Sequence, residues 1–178
     1  MRVVAGTYKG QRLEAPRRAT RPTADRVKEA LFSILGPVEG LSVLDLFAGS
    51  GALGIEALSR GAESATFVDS DAAAARAIRS NLERLGVSGA QVVRADALAF
   101  LRSAARRGER WGLVLCDPPY RLAPRLGDRL GRLLSPVLEP GAQVVSESSI
   151  RQPLDLAMPL LTERRYGDTR IAVFECRE

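Results

Sequence analysis

The stretch Leu41-Ser42-Val43-Leu44-Asp45-Leu46-Phe47-Ala48-Gly49-Ser50-Gly51-Ala52-Leu53-Gly54 decides the fold. An apolar run holding one acid feeds straight into a Gly-x-Gly-x-x-Gly turn, and the turn opens a helical pattern. Glycines let the backbone turn tightly and approach a ligand, while a helix start offers free N–H groups. Many α/β domains need a glycine here only for packing, so the loop by itself names no ligand. Downstream the alternation continues. Strands are expected over about 41–47, 65–69, 90–95, 112–117, 142–147, 160–166 and 170–176, and helices over about 52–60, 72–85, 97–106 and 124–135. Short connections between alternating elements imply an α/β fold with a parallel sheet covered on both faces. Tyr166-Gly167-Asp168-Thr169 should turn the last two strands into an antiparallel hairpin.

Upstream, residues 2–5 and 11–15 flank Gly6-Thr7-Tyr8-Lys9-Gly10 and read as a small hairpin or looped pair. Thr23 is positioned to cap a helix running to Leu35, with Val27, Leu31, Ile34 and Leu35 on one face and Gly36-Pro37 stopping it. Residues 1–36 thus form a basic arm and helix, and residues 37–178 the body, the two making a single compact unit. Residues 1–28 hold the cations Arg2, Lys9, Arg12, Arg17, Arg18, Arg21, Arg26 and Lys28 against only Glu14 and Asp25, a balance of +6 where the whole chain carries +5. The body is therefore nearly neutral. A positive field confined to one edge suggests a polyanion partner, with Arg2, Lys9, Arg12, Arg17, Arg18, Arg21 and Arg26 as the contacts.

Composition excludes several chemistries. With no histidine among 178 residues, the commonest general base and the commonest zinc ligand are missing, and no metal is expected. Cys116 lies in an apolar run and Cys176 near the end, so the two cysteines make neither a metal spacing nor a disulfide framework. No apolar run approaches the roughly 20 residues of a membrane span, and the first residues lack the apolar core of a signal peptide. A cytoplasmic protein without a membrane partner is expected.

Acids recur at strand ends. Asp69 closes the second strand, 18 positions beyond Gly51, near the spacing of a carboxylate that holds ribose hydroxyls. Its alternative role is a helix cap, for which Asp71 is better placed. Asp96 closes the third strand and suits either an adenine contact or a cap for the helix beginning at Ala97. Asp45, inside an apolar strand, must accept hydrogen bonds from the glycine loop, touch a cofactor, or both. The fourth strand ends in Cys116-Asp117-Pro118-Pro119-Tyr120. Each proline restricts the residue before it, so the segment is stiff, with the Asp117 side chain and neighbouring carbonyls held as acceptors and Tyr120 offering a face for a base.

That combination suits a flat, amine-bearing ring. Hydrogen bonds from the amine to Asp117 and the Pro118 carbonyl region would draw its nitrogen toward tetrahedral geometry and expose the lone pair to a methyl group carried on a sulfonium. Positioning would supply most of the acceleration. Cys116 reads as a buried strand thiol rather than a nucleophile. Arg121 and Arg125 follow closely and either help hold the target or simply begin a solvated helix. A nicotinamide oxidoreductase would share the glycine loop and Asp69 but has no need for the Asp-Pro-Pro-Tyr segment. An RNA-binding domain with an inactive cofactor pocket is the non-enzymatic alternative.

These motifs, together with Arg2-Val3-Val4-Ala5-Gly6, Lys9-Gly10-Gln11-Arg12-Leu13, the run from Arg21 to Phe32 and the run from Asp45 to Ala62, resemble the RsmD family of S-adenosylmethionine-dependent methyltransferases. The resemblance implies a Rossmann-like, seven-stranded sheet whose last strand is antiparallel, and methyl transfer to N2 of one guanine in 16S rRNA. It implies S-adenosylmethionine as cofactor, bound by Phe47, Ala48, Gly49, Ser50 and Gly51 with Asp69, Ser70 and Asp45, its adenine met by Asp96 and Ala97. Asp117, Pro118, Pro119 and Tyr120 would meet the target. The implied partner is ribosomal RNA within a small-subunit assembly particle. Adenine-N6 or cytosine-N4 methylation of DNA or another RNA would use the same four residues and remains the alternative.

Overall fold

Seven strands form one sheet in the computed structural model, which describes residues 1–15, 25–119 and 121–176. They are β1 (Ser42–Leu46), β2 (Ser64–Asp69), β3 (Ala90–Arg94), β4 (Trp111–Cys116), β5 (Leu138–Ser149), β6 (Leu160–Tyr166) and β7 (Thr169–Glu175). Their spatial order is β3-β2-β1-β4-β5-β7-β6, and only β7 runs against the rest. The expected antiparallel last strand is present. β1 and β4 are buried along almost their whole length, which explains their near-continuous apolar sequence. The strand order reverses between β1 and β4, and ligands of open α/β sheets bind beyond the carboxyl ends of the strands at such a reversal.

Among the described residues, five α-helices cover the sheet: α1 (Asp25–Leu35), α2 (Ala52–Ser59), α3 (Ala72–Leu85), α4 (Ala97–Arg107) and α5 (Ala123–Leu134). One apolar cluster joins α1, α2 and α3 to Val43, Phe67, Leu113 and Val145, and the other joins α4 and α5 to Leu44, Val68, Val114 and Val144. Alternate strand residues thus feed opposite faces. Gly54 sits where α2 crosses the sheet: a methyl group there would stand 2.3 Å from Phe67 Cε1. No helix among the described residues is long and apolar enough to cross a membrane.

Two expectations are modified, and one of two alternatives is decided. The fifth strand runs over twelve residues rather than about 142–147, because Pro140-Gly141, which reads as a turn, is absorbed as an irregularity: Trp111 pairs with Leu138, yet Leu113 pairs with Gln143. The amino-terminal segment takes the looped-pair form of its two readings, with one bridge between Arg2 and Arg12. Lys28, counted above among the arm's cations, is fully buried and adds no accessible positive surface. Thr23, the expected cap of α1, lies outside the described residues.

The first residues are built into the core. Val3 and Leu13 are buried in the α1–α3 cluster. The carboxylate of Glu56, itself 0% exposed, accepts the Val4 N–H at 2.7 Å, the Ala5 N–H at 2.9 Å and Arg60 Nε at 2.9 Å. Lys28 Nζ stands 3.9 Å from it and donates to the Arg2 carbonyl. Burial pushes the Lys28 pKa down, and the charges of Glu56 and Asp25 oppose that shift. Removing one partner of a buried, hydrogen-bonded charge set costs about 3–5 kcal/mol. Glu56→Ala should lower unfolding free energy by about that much and make residues 1–15 sensitive to limited proteolysis, read by denaturant melts and by mass spectrometry of the nicked chain.

Candidate active site

The loop after β1 is held from both sides. Phe47 has φ 60° and Gly49 and Gly51 have φ 57° and 77°. Left-handed backbone at a bulky aromatic residue is a strained conformation of the kind found where a loop is shaped for a ligand. Ala48 N–H donates to the Val68 carbonyl at 3.1 Å, and Gly49 N–H donates to Asp69 Oδ2 at 2.9 Å. Ser50, at the tip, is buried: its carbonyl accepts from Asn81 Nδ2 at 3.0 Å, and the same Asn81 side chain binds both the N–H and the carbonyl of Glu14.

Asp45 Oδ2 accepts the Gly54 N–H at 2.9 Å, which realises one of its two expected roles. Burial pushes its carboxyl up to about 8; the Gly54 N–H opposes that shift and the nearby Asp69 charge adds to it. Asp69 is only half-buried, with Oδ1 accepting the Asp71 N–H at 2.8 Å. A carboxylate offers about four lone-pair sites, so two bonds leave Asp69 room for ribose hydroxyls. Ser70 beside it is exposed. Asp71 caps α3 through Ala73 N–H, as expected, and Asp96 caps α4 through Ala99 N–H at 2.9 Å, the capping alternative weighed above. Ala97 is buried in the first turn of α4.

Across the strand reversal, Asp117 follows β4. Pro118 is buried, Pro119 is exposed, and the Pro119 carbonyl accepts the Leu122 N–H at 2.8 Å in a tight turn into α5. Tyr120 lies outside the described residues, as do Arg17, Arg18 and Arg21. Part of Asp117 reaches solvent, but protein atoms crowd its carboxyl; this desolvation, then the charges of Glu147 and Asp45, push its pKa well up. Glu147 was missed by the sequence reading. It is 5% exposed on β5, where Cys116 pairs with Ser146, so Asp117 and Glu147 occupy the next row of neighbouring strands. The signal that flagged Asp45, an acid within an apolar strand, was equally present in Val144-Val145-Ser146-Glu147. Cys116 is buried and its thiol is pushed up by burial, then by Asp117 and Asp45, which leaves it protonated and inert.

Carboxyl groups on three adjacent strands therefore converge beside a strained glycine loop. Such an arrangement favours a cation or a donor-rich ligand. Among the described residues, no three histidine, cysteine or acidic side chains are grouped to hold a metal ion. Of the expected nucleic-acid contacts, Arg2, Lys9, Arg12 and Arg26 are exposed, Arg2 being paired with Asp25 at 2.7 Å. A concavity of about 490 Å³ opens there, lined by Met1, Arg2, Gly10, Arg12 and Asp25, away from the carboxyl cluster.

A family model described as "Conserved hypothetical protein 95" matches residues 1–175. The ribosomal RNA small subunit methyltransferase D of Haemophilus influenzae is 36% identical over 86% of this chain and 81% of its own. The chain belongs to the RsmD family. A candidate rRNA methyltransferase of Bacillus subtilis, YlbH, is 40% identical over 99% of this chain and 100% of that one. Among solved structures, the candidate methyltransferase yhhF of Escherichia coli superimposes with a TM-score of 0.85 at 34% identity, over 99% of this chain and 98% of that one. An RNA methyltransferase of Salinibacter ruber, solved with S-adenosyl-L-homocysteine, shares the fold with a TM-score of 0.68 at 19% identity, over 89% of this chain and 95% of that one.

The raised Asp45 carboxyl has a consequence for stability. Its folded pKa of about 8 lies above the usual carboxylate range, so its contribution to stability is fully present below about pH 4 and is lost as pH rises toward 8. Asp117 acts with the same sign. The ligand-free chain should melt at progressively lower temperature between pH 5 and 8, and Asp45→Asn should flatten that slope in calorimetric scans.

Proposed function

We propose that this chain transfers a methyl group from S-adenosylmethionine to the exocyclic N2 of one guanine of 16S rRNA within a small-subunit assembly particle, and so works in the cytoplasm. The observation that carries the reading is the placement of Asp117 and its proline-stiffened carbonyls directly across the strand reversal from the glycine loop. The family membership supports it, since relatives carry the name of ribosomal RNA small subunit methyltransferase.

The residues present fit the cofactor. The loop of Phe47, Ala48, Gly49, Ser50 and Gly51 takes backbone angles that open its amides, Asp69 and Ser70 stand at the end of β2 for the ribose, and Asp96 with Ala97 stands at the end of β3 for the adenine. The carboxyl groups of Asp45, Asp117 and Glu147 supply an acidic wall suited to a sulfonium. When bound, S-adenosylmethionine supplies an electrophilic methyl group.

The chain's own part is to hold and deprotonate the amine. Desolvation, then the charges of Glu147 and Asp45, favour the protonated form of Asp117 in its pair with Glu147. An adjacent cation and N–H donors shift the pair toward its charged form. Asp117 and the Pro118 carbonyl then accept from the guanine amine, its lone pair turns toward the methyl carbon, and Tyr120 stacks on the ring. Bond formation to nitrogen would be matched by cleavage of the methyl–sulfur bond, leaving a neutral thioether, and the Asp117 carboxylate would take the proton that nitrogen loses. Lys9, Arg12, Arg17, Arg18, Arg21, Arg26 and Arg2 grip the phosphates near the unstacked nucleotide.

Asp117→Ala should lower kcat by roughly a hundredfold or more while cofactor affinity, measured by calorimetry, stays within about twofold. Digestion of methylated subunits and identification of the nucleoside tests the acceptor. N2-methylguanosine is expected, and N6-methyladenosine or N4-methylcytidine would replace this reading with the DNA- or RNA-amine alternative.

A further inference from the structure

We propose that the groove between α4 and α5 is a second phosphate-binding surface, which grips the substrate's RNA backbone on the side of the target opposite the amino-terminal arm; this rests on the rRNA reading above. The groove has a volume of about 330 Å³ and is lined by Arg102 of α4 and by Arg125, Asp128, Arg129, Arg132 and Leu133 of α5. Four guanidinium groups against one carboxylate leave it strongly positive. All four arginines are exposed, and among the described residues none of them is in an ion pair. Some exposed arginines elsewhere are paired, as in Arg107 with Glu109 and Arg165 with Glu163; what sets the groove apart is four unpaired guanidinium groups in one concavity.

The spacing is unfavourable for the helix. Arg125 and Arg129 stand four apart and Arg129 and Arg132 three apart, so like charges stack on one helix face and oppose its formation. Asp128 is the one acid interleaved with these three arginines on α5. The scaffold beneath is rigid: Ala123, Leu130 and Leu134 are fully buried, and a methyl group on Gly127 would stand 2.0 Å from the Asp155 carbonyl oxygen. Close backbone approach at that glycine fixes α5 against the segment after β5. The arginine stems are thus presented from a fixed platform, which reduces the entropy cost of binding.

The groove's place in the fold identifies its occupant. α5 begins directly after the turn formed by Pro119 and Leu122, and its arginines extend from that end over roughly 10 Å, at 1.5 Å per residue. α4 and α5 cover the sheet face opposite α1, α2 and the arm. A strand that delivers a nucleotide to the carboxyl ends of β1 and β4 therefore meets Lys9, Arg12 and Arg26 on one flank and this groove on the other. Among the described residues, no aromatic ring lines the groove to stack a base and Leu133 is the one apolar residue there, too little for the core of a protein interface. Arginine forks match phosphate oxygens.

The test uses the full chain carrying Arg125→Gln, Arg129→Gln and Arg132→Gln together, with a second variant in which all three become lysine. Methyl transfer is measured on small-subunit particles lacking the modification, alongside cofactor affinity, melting temperature and the salt dependence of binding to naked rRNA. The glutamine variant should raise KM at least tenfold with kcat within twofold, leave cofactor affinity and melting temperature unchanged, and flatten the log–log salt slope by about 0.7–0.9 for each phosphate no longer neutralised. The lysine variant should recover most of the slope. Unchanged KM and slope in the glutamine variant, with an active parent, would overturn the groove and leave the methyl-transfer reading standing. A raised KM with an unchanged slope on naked RNA would assign the groove to a ribosomal protein and overturn the proposal. A parent that methylates no rRNA would remove both.

Discussion

The buried carboxylate of Glu56 is the point on which the molecule turns. It lies on the helix that springs from the glycine loop, yet what it binds is the backbone of residues 4 and 5, with Arg60 and Lys28 closing the set. Desolvating such charges is expensive unless every lone pair is used. Here two amides and a guanidinium nitrogen bond to it directly, with an ammonium group close by. The outcome is mechanical: a basic segment that reads as an arm is joined to the helix that springs from the glycine loop.

The same economy of polar groups governs the other side of β1. Asp45 holds Gly54 and Asp69 holds Gly49, so two acids from adjacent strands fix the loop before any ligand arrives. Asp117 and Glu147 then line the opposite wall on β4 and β5. Both walls are acidic because both stand where the parallel strands end, and the apolar bodies of those strands keep water from relaxing the charges.

How much of this was legible depended on whether the relevant neighbours lie close in sequence. The glycine loop, the strands around it, the Asp71 cap and the stiff segment at Asp117 are local signals, and they stand where the residues suggest. Glu147 could be recognised only by knowing that β5 lies beside β4. Lys28 looked like one more surface cation because its partner Glu56 is 28 positions away. The extension of β5 back through Pro140-Gly141 is visible only in its pairing with β4 on either side of that dipeptide. Asp96 suited an adenine contact or a cap in sequence, and its bond to Ala99 realises the cap.

Asn81 carries a consequence of its own. Its amide receives from one backbone nitrogen and gives to two backbone oxygens, one of them in the loop and the others belonging to residue 14. Aspartate at that position has nothing to give, leucine neither gives nor receives, and glutamine is a methylene too long for a fully enclosed space. None of these three replacements keeps all three bonds, and whatever loosens the first fifteen residues passes through Asn81 to the tip of the glycine loop.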